Sequence, residues 1–157
     1  ALEGTRRNGL RMAEPGTGGM GLLYSEAEDA VDLHGRRILI VEDEQIVALD
    51  LELTLRTWGG TVVGPATTVS RAVEMARSQS IDGAMVDINL CGAAAFPALD
   101  ILLQRGVPVI LATSYPRESL PAAYRNLPIL SKPYDPRRFS GLVQSIFSSS
   151  AREGSLH

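Results

Sequence analysis

The sequence predicts an α/β fold in which a five-stranded parallel sheet is wound on both faces by helices. Three observations carry this. Strand and helix signals alternate five times over about 115 residues, the pattern of successive βα units. The strand signals are short unbroken apolar runs, as in strands buried on both faces. The helical segments carry one apolar stripe each, at i, i+3, i+4 spacing.

The first strand is Ile38-Leu-Ile-Val41, ended by the acids Glu42, Asp43 and Glu44. Ile46 to Trp58 follows as a helix, with Val47, Leu51, Leu55 and Trp58 on one stripe and Ile46, Leu49 and Leu53 broadening the apolar face. Gly59-Gly60 stops it. Thr61-Val-Val63, before Gly64-Pro65, is the second strand, and Val69 to Ser78 the second helix, with Ser70 near its start. The third strand lies in Ile81 to Leu90: Ala84 to Val86 are apolar and Asp87 closes the run. After a loop through Gly92, a helix is expected from about Ala94 to Arg105, capped by Gly106.

Val107 to Ala112 is the fourth strand, with Pro108 near its beginning, where a missing donor is best tolerated, and Thr113-Ser114 at its end. Pro116, Pro121 and Pro128 limit the next segment to at most about two helical turns between Arg117 and Tyr124. Ile129-Leu-Ser131 makes a short fifth strand that leads into Lys132-Pro133. Asp135 as cap and Pro136 at the first helical position then open a last helix, whose Phe139, Leu142, Val143, Ile146 and Phe147 fit one stripe. Right-handed crossovers make this a small doubly wound sheet of flavodoxin-like kind.

Outside that block, residues 1–35 hold seven of the fifteen glycines and read as a flexible extension. Leu23, Ala27, Ala30 and Val31 allow a short helix at about 22 to 33, whose apolar face would rest on the domain or on a second copy, giving a homodimer. Gly16-Thr-Gly-Gly-Met-Gly21 lacks both a preceding strand and a Gly-Lys-Ser/Thr ending, so it fails as a phosphate loop. The domain is expected over 36–149, with a disordered tail at 150–157.

A net charge of -3 and a pI near 5.4, with no basic patch beyond Arg-Arg pairs, argue against nucleic acid. The single cysteine, Cys91, excludes an internal disulfide and is expected to be a small buried thiol. No apolar run has the length of a membrane span, and no signal-peptide stretch opens the chain, so a soluble cytoplasmic protein is expected.

Parallel strands share one carboxyl edge, and the groups brought there are of complementary kinds: Glu42 and Asp43 from the first strand, Asp87 from the third, Thr113 from the fourth, Lys132 from the fifth. Crowded carboxylates repel by roughly 4 kcal/mol per pair at about 4 Å and an effective dielectric near 20, so the site either shifts a pKa or holds a cation. Oxygen-only donors with open water positions favour Mg²⁺. An ammonium, a hydroxyl and Mg²⁺ around one carboxylate suit transfer of a phosphoryl group onto it.

Ile-Leu-Ile-Val-Glu-Asp-Glu at 38–44, Val-Asp-Ile-Asn-Leu at 86–90, Ala-Thr-Ser at 112–114 and Ser-Lys-Pro at 131–133, in this order, resemble the receiver domain of two-component response regulators. The Leu-Asp-Leu after the acidic cluster, Val-Gly-Pro at 63–65 and the proline-broken stretch after Thr113 resemble the short receivers found beside bacterial sensor kinases. The resemblance implies Asp87 as phosphoacceptor, Asp43 as principal Mg²⁺ ligand with Glu42 beside it, and Asn89 as the position whose backbone carbonyl binds the metal. It implies Thr113 as the hydroxyl that turns toward the phosphoryl group and Lys132 as its ammonium partner, with a Lys132–Pro133 bond that is often cis. It also implies a sensor histidine kinase or histidine phosphotransferase as donor and an unspecified downstream protein, with no enzymatic turnover beyond self-phosphorylation and self-dephosphorylation. Ile129 stands where such domains carry Tyr or Phe, and the fourth helix is proline-interrupted. A receiver fragment of a hybrid histidine kinase is an alternative. So is a Mg²⁺-dependent phosphohydrolase with an aspartyl-phosphate intermediate, but it would need an acid at the position held by Asn89.

Overall fold

A computed structural model of the chain describes residues 31–148. The expected 22–33 helix and 150–157 tail fall almost wholly outside those residues; residues 31–33, which are described, are not helical. The elements run β1 (Arg37–Val41), α1 (Gln45–Thr57), β2 (Thr61–Ala66), α2 (Val69–Ser78), β3 (Gly83–Asp87), β4 (Asn89–Leu90), β5 (Ala93–Ala94), α3 (Phe96–Gln104), β6 (Val109–Thr113), β7 (Ile129–Ser131) and α4 (Pro136–Phe147). Two single-turn 3-10 segments, Arg117–Ser119 and Ala122–Tyr124, lie between β6 and β7.

Five strands form one parallel sheet in the order β2-β1-β3-β6-β7. β1 and β3 sit side by side where the strand order reverses, the crevice in which open α/β sheets keep their ligands. One face of the sheet buries Ile38, Ile40 and Met85 under Leu51, Leu55 and Trp58 at α1 and Phe139, Val143 and Phe147 of α4. The other buries Leu39, Val41 and Val86 under Ala72 and Ala76 of α2 and Ala98, Leu99 and Leu102 of α3. Every residue of β3 and β6 is buried, which is why their sequences do not alternate. Val31 and Leu33 join the α1–α4 face, and the Leu33 amide donates to the Trp58 carbonyl at 2.8 Å.

Several boundaries and placements differ from the sequence expectation. β2 does not stop at Val63 but passes through a cis Gly64–Pro65 bond to Ala66, with a register shift against β1. Ser70 lies in the first turn of α2 as expected, and Thr68, which the sequence did not single out, caps the helix by accepting the Arg71 amide. Ala94 is not helical: it closes a two-residue β4–β5 hairpin, so α3 begins two residues later. Ile46, Leu49 and Leu53 are 85%, 55% and 57% exposed, because α1 buries the opposite side, with Ala48, Leu51 and Leu55 inward.

Candidate functional site

Each predicted site residue is carried to the carboxyl edge by the end of a strand or the turn after it. Glu42 and Asp43 follow β1, Asp87 ends β3, Thr113 ends β6, and Lys132 follows β7 before a cis bond to Pro133. Glu42 is 1% exposed, Asp87 7% and Thr113 2%, so the two acids lie in a low-dielectric floor. Lys132 reaches over it: Nζ donates to Asp87 Oδ2 at 2.9 Å and to Glu42 Oε2 and Oε1 at 3.1 and 3.3 Å. Glu42 Oε1 also accepts the Glu44 amide at 3.2 Å. Glu44, the N-cap of α1, makes no side-chain capping bond of its own.

Electrostatics separates the carboxylates. Burial and the nearby Asp87 charge push Glu42 up to about 7, against the opposing pull of Lys132. Burial also raises Asp43, but the thiol and backbone amide of Cys91 outweigh it and hold that carboxyl below its usual range. Desolvation lowers Lys132, yet its bonds to Asp87 and Glu42 prevail and lift it above the ordinary lysine value, so the ammonium is permanently charged near neutrality.

Glu42, Asp43 and Asp87 each offer an oxygen within 4.8 Å of the others', a set that fits one hard divalent cation. A cleft of about 190 Å³ opens above them, lined by Asp43, Asp87, Asn89, Cys91, Thr113 and Lys132 among others. Asn89 is exposed; its amide donates to Asp87 Oδ1 at 3.1 Å, and its side-chain oxygen accepts the Gly92 amide at 2.8 Å. The Thr113 hydroxyl oxygen accepts the Tyr115 amide at 2.9 Å, which turns it toward the β6–β7 connection. A second cleft of about 450 Å³ adjoins the first, between the start of α1 and the turn after β7, and includes Ile46, Val47, Pro133 and Tyr134.

One site contact escaped the sequence. Cys91, expected to be buried, is exposed, and both its amide and its Sγ approach Asp43 Oδ2, at 2.9 and 3.1 Å. Its left-handed φ of +51° beside Gly92 at +84° makes the tight turn of the β4–β5 hairpin, which swings the thiol back over the cleft. Gly92 marks the turn in the sequence; nothing there marks the thiol's direction.

No protein-family model matches the chain. Against curated proteins it is 34% identical over 148 residues to the phyllosphere-induced regulator PhyR of Methylorubrum extorquens, with 85% of this chain and 55% of that protein covered. The chain therefore spans about half the length of the curated relatives it matches. Among solved structures it is 33% identical to SdrG from Sphingomonas melonis, with a TM-score of 0.60 and coverage of 71% of this chain and 92% of that one. It is 30% identical to the receiver domain of the Erythrobacter litoralis PhyR response regulator, also with a TM-score of 0.60, covering 74% of this chain and 94% of that domain. With the five-stranded parallel sheet and the acidic strand ends already in place, these likenesses settle the assignment: the chain belongs to the receiver domains of response regulators.

Proposed function

We propose that Asp87 accepts a phosphoryl group from a phosphohistidine on a sensor histidine kinase or histidine phosphotransferase. The observation that carries this reading is the Lys132 ammonium, 2.9 Å from Asp87 Oδ2 at the floor of an open cleft, with Glu42 and Asp43 completing a cation-binding set. An Asp87 oxygen attacks phosphorus in line, the phosphorus–nitrogen bond breaks, and the donor ring, protonated on its other nitrogen, leaves as neutral imidazole with the electron pair. Glu42, Asp43, Asp87 and the Asn89 backbone carbonyl would hold Mg²⁺, which when bound neutralises phosphoryl oxygens and the crowded acids. Lys132 pairs with one phosphoryl oxygen, and Thr113 donates its hydroxyl proton to another. Asn89 offers no carboxyl group to protonate a leaving group or to take a proton from attacking water, which favours a phosphoryl group held for signalling over turnover of outside substrates.

The receiver alone makes up this reading, over about residues 36–149. Output goes to a protein partner or onward to another histidine, in a cytoplasmic setting; among the described residues no helix is long and apolar enough to cross a membrane. Incubation with acetyl phosphate and Mg²⁺ followed by intact-mass measurement tests the assignment. The unaltered protein gains one phosphoryl group and Asp87→Asn gains none; undiminished labelling of the variant refutes it.

A further inference from the structure

We infer that Cys91 is a positioning residue for the cation, fixing the Asp43 carboxylate so that one of its oxygens is reserved for the metal. The inference rests on the reading of Glu42, Asp43 and Asp87 as a Mg²⁺ site. A carboxylate oxygen has two lone-pair positions. At Asp43 Oδ2 two donors from one residue occupy them: the Cys91 amide at 2.9 Å and its thiol at 3.1 Å. Oδ2 is thereby filled from the hairpin side, and the carboxylate can no longer spin about its last bond. That leaves Oδ1 as the oxygen Asp43 would turn to a cation, in a residue that belongs to the Glu42, Asp43 and Asp87 carboxylate cluster. Partners that orient a ligand in this way govern metal affinity although they never touch the ion.

The hairpin is shaped for this contact at some expense. Cys91 holds φ +51°, where Asn, Asp or Gly is the ordinary choice for the first position of such a turn. Any residue but proline would present its backbone amide there, so the amide bond to Asp43 survives substitution by alanine or serine. The second bond belongs to the thiol alone. Cys91 is the sole cysteine of the chain, so a substitution removes that chemistry completely. Asp43 is exposed enough to reorient without the second donor, whereas Asp87 and Glu42 are locked by Lys132 and by burial.

The test is isothermal titration of the unphosphorylated full chain with Mg²⁺, comparing the original protein with Cys91→Ala and Cys91→Ser. Outer partners of metal ligands are worth about tenfold to a hundredfold in affinity, and a thiol is a weak donor, so Cys91→Ala is expected to bind Mg²⁺ about threefold to tenfold more weakly. Cys91→Ser keeps a side-chain donor and is expected to restore affinity to within about twofold. Melting temperatures report whether the variants fold alike, and a purely structural role would lower these without the serine rescue. Equal Mg²⁺ affinity in the alanine variant, or equal loss in both variants, overturns the positioning role and leaves the metal site standing. If the unaltered protein binds no Mg²⁺, the metal reading itself fails and Cys91 fails with it.

Discussion

Replacing Lys132 by methionine isolates the charge that holds the site floor together. Its ammonium lies 2.9 Å from Asp87 and 3.1 Å from Glu42, whose side chains are 9% and 1% exposed, with the Lys132 side chain at 18%. At an effective dielectric near 20 each contact has a gross attraction of about 5 kcal/mol, most of it offset by desolvation of the ions. Taking away one partner of a buried pair leaves the others uncompensated and costs about 3–5 kcal/mol. That loss depends on pH in a defined direction. Lys132 has a raised pKa in the fold, so its contribution is fully present below its ordinary value of 10.5. Glu42 titrates at about 7 with Lys132 in place, and losing the ammonium moves it higher still. Below about pH 6 Glu42 is therefore protonated in both proteins and the deficit is smallest; above 7 only the variant must carry the extra proton, and the deficit widens. Urea unfolding at a series of pH values, without divalent cations, measures it. A deficit under about 1 kcal/mol at pH 8, or one that narrows as pH rises, refutes the electrostatic account of this network.

Three further outcomes are expected. Because Glu42 has a raised pKa, the metal-free fold binds a proton that the unfolded chain has released, so this group's contribution to stability declines as pH climbs from 4.5 through about 7, by up to about 1.4 kcal/mol per unit. Cation binding needs the ionised form, so Mg²⁺ affinity should be about tenfold weaker at pH 6 than at pH 8; calorimetry in Glu42→Gln should show that dependence flattened, and an unchanged slope would place the titration elsewhere. Gly83 opens β3 beneath the Phe147 ring, where an added Cβ would stand 2.6 Å from Cδ1. Gly83→Ala is expected to lose about 1–3 kcal/mol in chemical denaturation through overpacking, while retaining the fold by circular dichroism; neutral stability would mean that Phe147 is free to yield.

The sheet is legible in the sequence because its strands are buried on both faces and their apolar runs are unbroken, and α2 falls on its expected residues because Gly64-Pro65 before it and the alanine face within it leave little room for a shift. The site is legible for a topological reason: parallel strands deliver their last residues to one edge whatever the loops do. The features that escape are those with no period. Ile46, Leu49 and Leu53 look like core on a helical wheel, but only one side of α1 meets the sheet, and apolarity alone does not say which. The second strand outruns its expected end because Pro65 reads as a breaker, whereas at the sheet's edge the missing donor is tolerated. Cys91 reads as interior because thiols usually are buried; a two-residue hairpin turns it outward and over Asp43.

Thr113 and Tyr115 share a bond whose loss must be made good. The threonine oxygen accepts the Tyr115 amide, in a segment where 3-10 turns supply few regular ladder partners. If the Thr113 side chain swings its oxygen toward a group on Asp87, that amide loses its acceptor and must find another or turn to water. The chain from Ser114 to Pro116 must then travel with the side chain or open to solvent. Such a swing at the end of β6 would draw a stretch of surface, including the half-exposed Tyr115 ring, into a new shape.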